Sequence, residues 1–388
     1  MKKILMLLLT LCIGFLPVTI LAEEKKDAST MDLAPNAEAA YLIEYTTGKV
    51  IYAKNETEKL YPASMTKMMG LLLIYEALHN KRLAMDDLVS TSEYAASMGG
   101  SQVYLEPGET MSVTDMLKAI CIASANDAMV AMGEKIAGSN EHFVTMMNDK
   151  AKELKLENTH FVNATGLHDA KHYSTAKDMA IISQALIKEG KEDLLEITST
   201  YDAYIREHTD DKFWLVNTNK LLKQYEGVDG LKTGYTAEAL SCVSVTAKKK
   251  DLRLIAVVMK EPDSKRRNME IRQMLDYGFS QYDQGLLYPK GTKLEEYVIE
   301  NGKPSKANLI TLQDAVYVFE KGSEPKEKTK EIILHKKSLP YAKEDAIGKV
   351  KITMSDGYII ETDIGVDRNV TQLSFLDIFK KTITETFC

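Results

Sequence analysis

Strand-like runs stand at both ends of residues 37–284, and a long helical region separates them. Near the start, two apolar runs flank Thr46-Thr47-Gly48; near the end, two runs rich in β-branched residues flank Lys248-Lys249-Lys250. Each pair is typical of a hairpin with a polar turn. The runs are residues 40–45, 49–53, 239–247 and 252–259. Strands need partners, so we expect both hairpins to join one sheet that the intervening helices cover.

Helix start signals recur between the two hairpins. Ser112 precedes an apolar run, and a second helical run covers residues 127–136. Farther on, Ser174 or Thr175 with Asp178 is typical of a helix N-cap, because the side-chain oxygen can accept a hydrogen bond from the first turn. The sequence therefore predicts an α/β catalytic region with a helical subdomain.

A serine and a lysine stand one helical turn apart in Tyr61-Pro62-Ala63-Ser64-Met65-Thr66-Lys67. Pro62 restricts the residue before it, and an apolar run follows, so we place Ser64 in the first turn of a helix with Lys67 on the same face. Lysine can act as the base for a serine only where burial or a second cation lowers its pKa from about 10.4. For an isolated match, a helix cap followed by a surface lysine is the commoner explanation.

Two further segments change this balance. Ser124-Ala125-Asn126 lies between two helical runs, and Lys232-Thr233-Gly234 precedes a strand-like run. In this order the three segments resemble the signature of penicillin-binding proteins and class A β-lactamases. From about Ala37 onward the chain is similar to the low-molecular-mass D-alanyl-D-alanine carboxypeptidases of serine peptidase family S11. The longer matching segments are residues 61–67, 166–168, 172–176 and 228–236.

The resemblance implies a serine β-lactamase/transpeptidase-like fold and acyl transfer on peptidoglycan stem peptides that end in D-Ala-D-Ala, with β-lactam antibiotics as covalent inhibitors. Ser64 would be the nucleophile, Lys67 its general base and Ser124 a proton relay to the leaving amine. The backbone N–H groups of Ser64 and Tyr235 would form the oxyanion hole. Substrate contacts would come from Asn126, Lys232, Thr233, Gly234 and Thr236. No cofactor and no metal is expected.

Recognition of the substrate carboxylate departs from the family pattern in one respect. Lys232 and Thr233 would offer a cation and a hydroxyl, and Gly234 would let the strand approach the ligand closely. Members of the family often add an arginine upstream, but no arginine lies between Arg206 and Lys232. Lys220 is the candidate replacement.

Two alternative functions stay open. A class A β-lactamase needs a glutamate that activates the deacylating water, yet residues 158–188 contain no glutamate, so we expect slow penicillin hydrolysis. A penicillin-binding sensor would keep the fold and acylate without turnover. Repeated turnover on a D-Ala-D-Ala peptide distinguishes the carboxypeptidase from the sensor.

His168 and His172 raise the question of a metal site. A zinc protease motif needs both histidines on one helix, with a glutamate after the first. Here Asp169 follows, and Gly166 disfavours a helix. We therefore predict an ordered loop rather than a metal site.

The C-terminal part of the chain has a different character. Residues 285–367 carry short strand-like runs without a catalytic motif, which predicts a small all-β domain. Residues 368–388 predict an amphipathic helix too short and polar to span a bilayer. Its apolar face comprises Leu373, Leu376, Phe379, Ile383 and Phe387. We expect an in-plane membrane anchor; the alternative is a helix docked on its own domain.

The N-terminus predicts export. Residues 1–22 combine two lysines with an apolar run, as in a secretory signal peptide, and residues 23–36 resemble a flexible leader. An uncleaved signal anchor is the alternative. Cys121, Cys242 and Cys388 would remain after cleavage, and this odd, sparse set predicts no disulfide framework. The net charge of −7 argues against nucleic acid as a partner. Because of the signal peptide and the C-terminal anchor helix, we place the exported protein at the outer face of the cytoplasmic membrane.

Overall fold

The computed structural model describes residues 31–335 and 338–379 of the chain. Its strands are β1 (Ala39–Glu44), β2 (Val50–Lys54), β3 (Leu88–Ser90), β4 (Thr110–Ser112), β5 (Asp202–Ile205), β6 (Phe213–Val216), β7 (Val228–Thr236), β8 (Leu240–Lys249), β9 (Leu252–Glu261), β10 (Tyr282–Tyr288), β11 (Lys293–Val298), β12 (Gly302–Lys303), β13 (Lys306–Thr311), β14 (Ala315–Glu320), β15 (Glu327–Leu334), β16 (Ala346–Met354), β17 (Ile359–Val366) and β18 (Thr371–Gln372). Its helices are α1 (Lys67–His79), α2 (Glu93–Ala96), α3 (Val113–Ile122), α4 (Asn126–Ala137), α5 (Asn140–Glu153), α6 (Ala176–Ser199), α7 (Leu221–Gln224) and α8 (Ser264–Gln281).

The two predicted hairpins do join one sheet. Its five strands run in the order β2-β1-β9-β8-β7, and β1 pairs antiparallel with β9, with Ala40 opposite Val258. The α/β prediction of a sheet built from both ends of the catalytic region is therefore confirmed. β7 is the last strand in this order, so among the described residues only β8 pairs with it.

Neighbouring residues of β9 enter two separate cores, because successive side chains of a strand point to opposite faces. Ile255 and Val257 pack with residues of α1, α3, α4 and α6, whereas Leu254 and Ala256 pack with residues of α8. The sheet thus lies between two helical layers. Burial on both faces explains why β9 is almost continuously apolar rather than alternating.

Predicted caps fix the ends of the helices that lead to the site. Ser112 Oγ accepts a hydrogen bond from Asp115 N–H at the start of α3, and Thr175 Oγ1 accepts one from Asp178 N–H at the start of α6. Of the two candidates for the second cap, Thr175 is the one used. Cys121 and Cys242 are free thiols buried near these elements.

The C-terminal region is all-β, as predicted. A five-stranded sheet has the order β11-β13-β17-β16-β15, β10 pairs with β14, and β12 pairs with β18. Because Thr371–Gln372 belongs to β18, helical structure begins at Phe375 rather than at residue 368 as predicted. Pairing with β12 extends the domain into the segment that we had assigned to the helix. The remainder of the predicted helix lies outside the described residues.

The predicted signal peptide and most of the leader also lie outside the described residues. Across residues 31–335 and 338–379, no helix has both the length and the apolar character needed to cross a membrane.

Candidate active site

Ser64 and Lys67 are in direct contact. Lys67 Nζ lies 2.8 Å from Ser64 Oγ in a hydrogen bond, and it also donates to the Thr165 carbonyl at 2.9 Å. The Lys67 side chain is fully buried. Ser64 itself is in the 3₁₀ turn Ala63–Thr66, and the α-helix begins only at Lys67, so the predicted first α-helical turn is corrected to a tighter one.

Burial and a second lysine set the charge of Lys67. Loss of hydration lowers the Lys67 pKa well below its ordinary value, and the positive charge of Lys232 lowers it further, while Asp127 acts in the opposite direction. Burial also lowers the pKa of Lys232, to about 8. Both lysines are therefore shifted toward the neutral form, and Lys232, with a pKa of about 8, stays largely protonated at neutral pH.

The loop of residues 163–166 packs against the 3₁₀ turn Ala63–Thr66, which carries Ser64 and is called the nucleophile turn below. Asn163 Oδ1 accepts hydrogen bonds from Thr165 N–H at 3.2 Å and from Gly166 N–H at 2.7 Å. These bonds hold Gly166 at φ +84°, where a Cβ atom would lie only 1.8 Å from the Ala63 carbonyl oxygen. Only glycine fits this contact, and the contact places the Thr165 carbonyl against Lys67 Nζ.

We expect Gly166→Ala to disrupt the site. The new Cβ would clash with the backbone of Ala63, and the alanine would have to adopt a positive φ. The clash and the backbone strain together should destabilise the protein by about 2–5 kcal/mol. The matched control is Gly108→Ala, because Gly108 has φ +82° but nothing within 4 Å of its virtual Cβ. Urea unfolding and penicillin labelling should show a larger loss for Gly166→Ala. Equal losses in the two variants would mean that the contact with Ala63 is unimportant.

Ser64 lines a cavity of about 570 Å³ together with the second motif. Ser124, at φ +65° in the junction between α3 and α4, lines the same cavity. Other lining residues include Ser101, Thr218, Lys220, Thr233, Gly234, Tyr235 and Arg267. The structure thus brings Ser64, Ser124 and the end of β7 together.

Asn126 is the first residue of α4 and is not among the described cavity-lining residues. Its amide nitrogen donates to the Gly99 carbonyl at 2.6 Å, and its backbone N–H donates to Ser101 O at 2.7 Å. Its Oδ1 is buried and has no hydrogen-bond partner among the described residues. One hydrogen of the amide nitrogen is therefore engaged with Gly99, and Oδ1 is an acceptor that is still available. The adjacent Asp127 carboxylate accepts from Val103 and Leu105 N–H and fixes the same segment.

The third motif lies on the edge strand. The Lys232 side chain is buried, and Thr233 Oγ1 donates to Thr218 Oγ1 at 2.7 Å. A Cβ on Gly234 would lie 2.7 Å from the Pro62 carbonyl oxygen, so this glycine allows β7 to approach the nucleophile turn. Thr236 Oγ1 accepts a hydrogen bond from Ala239 N–H in the turn to β8, and Thr236 is not among the described cavity-lining residues. Its contact with substrate stays a prediction.

His168 and His172 do not face one another as paired ligands. His172 is buried, its Nδ1 accepts from Val162 N–H at 3.1 Å, and its Nε2 lies 2.7 Å from Thr66 Oγ1. Burial is the main reason that its pKa falls to about 4. His168 packs edge-on against Tyr61 with ring centroids 4.7 Å apart. Both histidines therefore fix the loop onto the segment that carries the nucleophile.

Lys220, the candidate replacement for the missing arginine, lines the cavity. Its Nζ donates to the Asn217 carbonyl at 2.9 Å and lies over the Tyr201 ring, 5.1 Å from the centroid. Thr218 and Arg267 were not predicted. Thr218 belongs to no motif, and Arg267 lies on α8, far from the motifs in sequence. Only tertiary structure brings them to the site.

Comparison with protein families gives two matches that cover most of the chain. The family described as D-alanyl-D-alanine carboxypeptidase matches residues 24–263. The family described as the C-terminal domain of penicillin-binding protein 5 matches residues 282–372.

Similar proteins cover more than nine-tenths of the chain. D-alanyl-D-alanine carboxypeptidase DacF of Bacillus subtilis (strain 168) is 46% identical over 381 residues, which is 97% of each chain. D-alanyl-D-alanine carboxypeptidase DacA of Escherichia coli (strain K12) is 31% identical over 92% of this chain and 90% of its own.

Solved structures agree with these relatives. Penicillin-binding protein 5 of Haemophilus influenzae superposes with a TM-score of 0.71 at 31% identity, covering 87% of this chain and 98% of its own. Penicillin-binding protein D2 of Listeria monocytogenes in its ampicillin-bound form has a TM-score of 0.56 at 31% identity, covering 63% and 98% respectively.

Proposed function

The chain belongs to the D-alanyl-D-alanine carboxypeptidase family of serine peptidases, and on this premise we propose that it removes the terminal D-alanine from peptidoglycan stem peptides through an acyl-enzyme at Ser64. The observation that carries the proposal is the 2.8 Å contact between Ser64 Oγ and the buried amine of Lys67. A nucleophile and a base with a lowered pKa, in one cavity with an edge strand, suit acyl transfer to serine.

In the first half of the reaction, neutral Lys67 takes the proton of Ser64 as its oxygen attacks the penultimate carbonyl carbon. The backbone N–H groups of Ser64 and Tyr235 stabilise the oxyanion that forms. The tetrahedral intermediate then collapses, the peptide bond breaks, and D-alanine leaves with the proton that Lys67 had taken, which Ser124 relays to its amine. Water hydrolyses the ester in the second half and restores Ser64. The shared cavity of Ser64, Ser124 and Tyr235 supports this assignment.

The substrate carboxylate binds where the cationic groups gather. Lys232 stays largely protonated at neutral pH because its pKa is about 8, and the Thr233 hydroxyl lines the cavity. Lys220 supplies the second cation from the same wall. Asn126 Oδ1, the acceptor without a partner among the described residues, accepts a backbone N–H of the stem peptide. Gly234 leaves room for the peptide to lie along β7.

Release of D-alanine from diacetyl-lysyl-D-Ala-D-Ala tests the function directly. The chain from Glu23 onward should turn over repeatedly, and penicillin in a parallel reaction should block this by acylating the same serine. Labelling by penicillin without turnover would point to the sensor, and fast penicillin hydrolysis would point to a β-lactamase. The penicillin-binding proteins among the similar structures support the inhibited outcome.

We further propose that the exported enzyme is held at the outer face of the cytoplasmic membrane by its C-terminal helix. The helical residues Phe375 and Leu376 are 81% and 67% exposed, and Ile378 and Phe379 are also exposed. Ser374 caps this segment, since its Oγ accepts from Asp377 N–H at 3.2 Å. Such a row of apolar side chains suits insertion into the headgroup region.

Deleting residues 374–388 should therefore move the protein from the membrane to the soluble fraction. The deletion begins at Ser374 because Val370 is buried and Thr371–Gln372 pairs with β12. Fractionation followed by penicillin labelling reads out location and folding together. A matched variant that keeps the helix but carries Phe375→Ser, Leu376→Ser and Phe379→Ser should behave like the deletion. Continued membrane retention of both would assign anchoring to another segment.

A further inference from the structure

An aromatic platform lies on the outer face of the β5–β6 hairpin, outside the site described above. Tyr204 and Trp214 stand directly opposite each other on the two strands, and they are 40% and 56% exposed. Lys212 Nζ lies 3.9 Å from the centroid of the Tyr204 ring. Trp214 Nε1–H donates to Asp202 Oδ2 at 3.1 Å. The exposed rings of Tyr204 and Trp214 are thus flanked by the Lys212 ammonium and the Asp202 carboxylate. We call these four residues the aromatic platform.

The chain connects the aromatic platform to the catalytic cavity. Trp214 precedes Thr218 by four residues, and Thr218 lines the cavity and accepts the Thr233 hydroxyl hydrogen bond. Four residues of extended chain span at most about 14 Å. The backbone N–H of Thr218 donates to Ile122 O at the end of α3, which fixes this end of the hairpin. Trp214 therefore lies within about 14 Å of Thr218, which lines the cavity at the end assigned to the substrate carboxylate.

The composition of the platform matches a carbohydrate chain. Pyranose rings of β-linked amino sugars present C–H bonds on both faces, and these are attracted to the electron-rich face of an aromatic ring. The Asp202 carboxylate and the Lys212 ammonium can accept from hydroxyl groups and donate to acetamido oxygens. An aromatic pair across two strands also stabilises a hairpin, but that function does not require the rings to be open to solvent.

Charge argues for a glycan rather than a membrane as the occupant. Trp, Tyr and Lys together are also typical of membrane interfaces. However, the loop that joins β5 to β6 carries three exposed carboxylates, Glu207, Asp210 and Asp211, against the two cations Arg206 and Lys212, and Arg206 is paired with Glu109. This excess of negative charge disfavours an anionic lipid surface. The amino-sugar rings of peptidoglycan carry no charge where their lactyl groups are amide-linked to stem peptides, so the glycan backbone of the polymer avoids this conflict.

We propose that the aromatic platform binds a glycan strand of peptidoglycan and so positions polymeric substrate at the cavity. This inference rests on the proposed function, which supplies the stem peptide as substrate. Because the platform adjoins the carboxylate end of the cavity, the strand it binds is a neighbour of the one that bears the cleaved stem. The gain is therefore confined to the polymer and absent from free peptides.

The kinetic test compares two substrates with the full-length protein. Trp214→Val and Tyr204→Thr keep β-branched residues in the strands and should leave turnover of the free D-Ala-D-Ala peptide within about twofold. On polymeric peptidoglycan the same variants should lose about fivefold or more in kcat/KM, as expected for a lost aromatic contact. The control is Tyr94→Ala, which removes an exposed aromatic ring from α2 and should change neither substrate.

The two proposals fail in different ways. Absence of turnover on the free peptide by the unsubstituted protein would overturn the proposed function. Equal effects of the hairpin variants on both substrates, or no effect on either, would overturn the platform. A melting temperature measured for each variant identifies any loss that comes from unfolding of the hairpin.

Direct binding can be followed without any label. Trp214 is the only tryptophan in the chain, so its fluorescence reports on the platform alone. Peptide-free glycan strands should produce a saturable change that weakens in Lys212→Ala. A change with anionic phosphatidylglycerol vesicles but none with glycan strands would assign the surface to the membrane and overturn the proposal.

Discussion

Replacing Ser64 with alanine should abolish both D-alanine release and covalent labelling by penicillin. The Ser64 oxygen is the atom that forms the ester, and no neighbouring group can replace it, so we expect a loss of roughly 10⁴-fold or more in kcat. The fold should survive, because Ser64 is only half-buried and Lys67 keeps its bond to Thr165. Mass spectrometry of the penicillin-treated protein measures the adduct, and D-alanine release measures turnover.

Ser101→Ala provides the control for this experiment. Ser101 lines the same cavity, but it contacts Asn126 through its backbone carbonyl, which alanine retains. This variant should therefore be labelled at a near-normal rate. Labelling that persists in Ser64→Ala would refute the assignment of the nucleophile.

Replacing Lys67 has the second largest expected effect. Lys67→Ala should slow acylation by roughly 10²–10⁴-fold, because general-base catalysis contributes a factor of this size. Lys67→Arg should be equally slow, since a guanidinium keeps its proton at any accessible pH. A rate near normal in the arginine variant would mean that Lys67 supplies charge rather than proton transfer. Stopped-flow acylation by a chromogenic β-lactam measures all three proteins.

The pH dependence of acylation tests the role of Lys67 as a base. Lys67 accepts a proton only when neutral, so acylation should rise with pH through its lowered pKa and then level off. Lys232 binds the carboxylate only when protonated, so binding should weaken as the pH rises through about 8. Lys67→Ala should lose the acidic limb and keep the alkaline one. An unchanged acidic limb would assign that titration to another group.

The fold was predictable where sequence patterns coincide with burial. The strands near both ends of the catalytic region and the caps at Ser112 and Thr175 follow from local patterns, and the structure contains them. The β5–β6 hairpin was missed because its turn, residues 206–212, has neither glycine nor proline. β10 was missed because it follows α8 at Tyr282 without any stop signal.

The active site was likewise predictable from the sequence only in part. Ser64, Lys67 and Lys232 follow from motif and chemistry, including the lowered pKa that burial and a second lysine produce. The Thr165 carbonyl and the Gly166 contact act through backbone atoms, so no side-chain pattern announces them. The 3₁₀ turn at Ser64 depends on packing against Gly166 and Gly234, which lie far away in sequence. Local propensity therefore could not distinguish it from an α-helical start.

Because β7 is at the edge of its sheet, the cleft favours ligands whose backbone is extended. Among the described residues only β8 pairs with it, so a ligand that aligns with its other side must be extended along the contact. A flexible peptide loses conformational freedom when it takes up that shape, whereas a ligand locked by fused rings has already lost it. A rigid mimic of an extended acyl-peptide thus starts with an entropic advantage over the natural substrate, and susceptibility to such inhibitors is inherent in recognition by a strand edge.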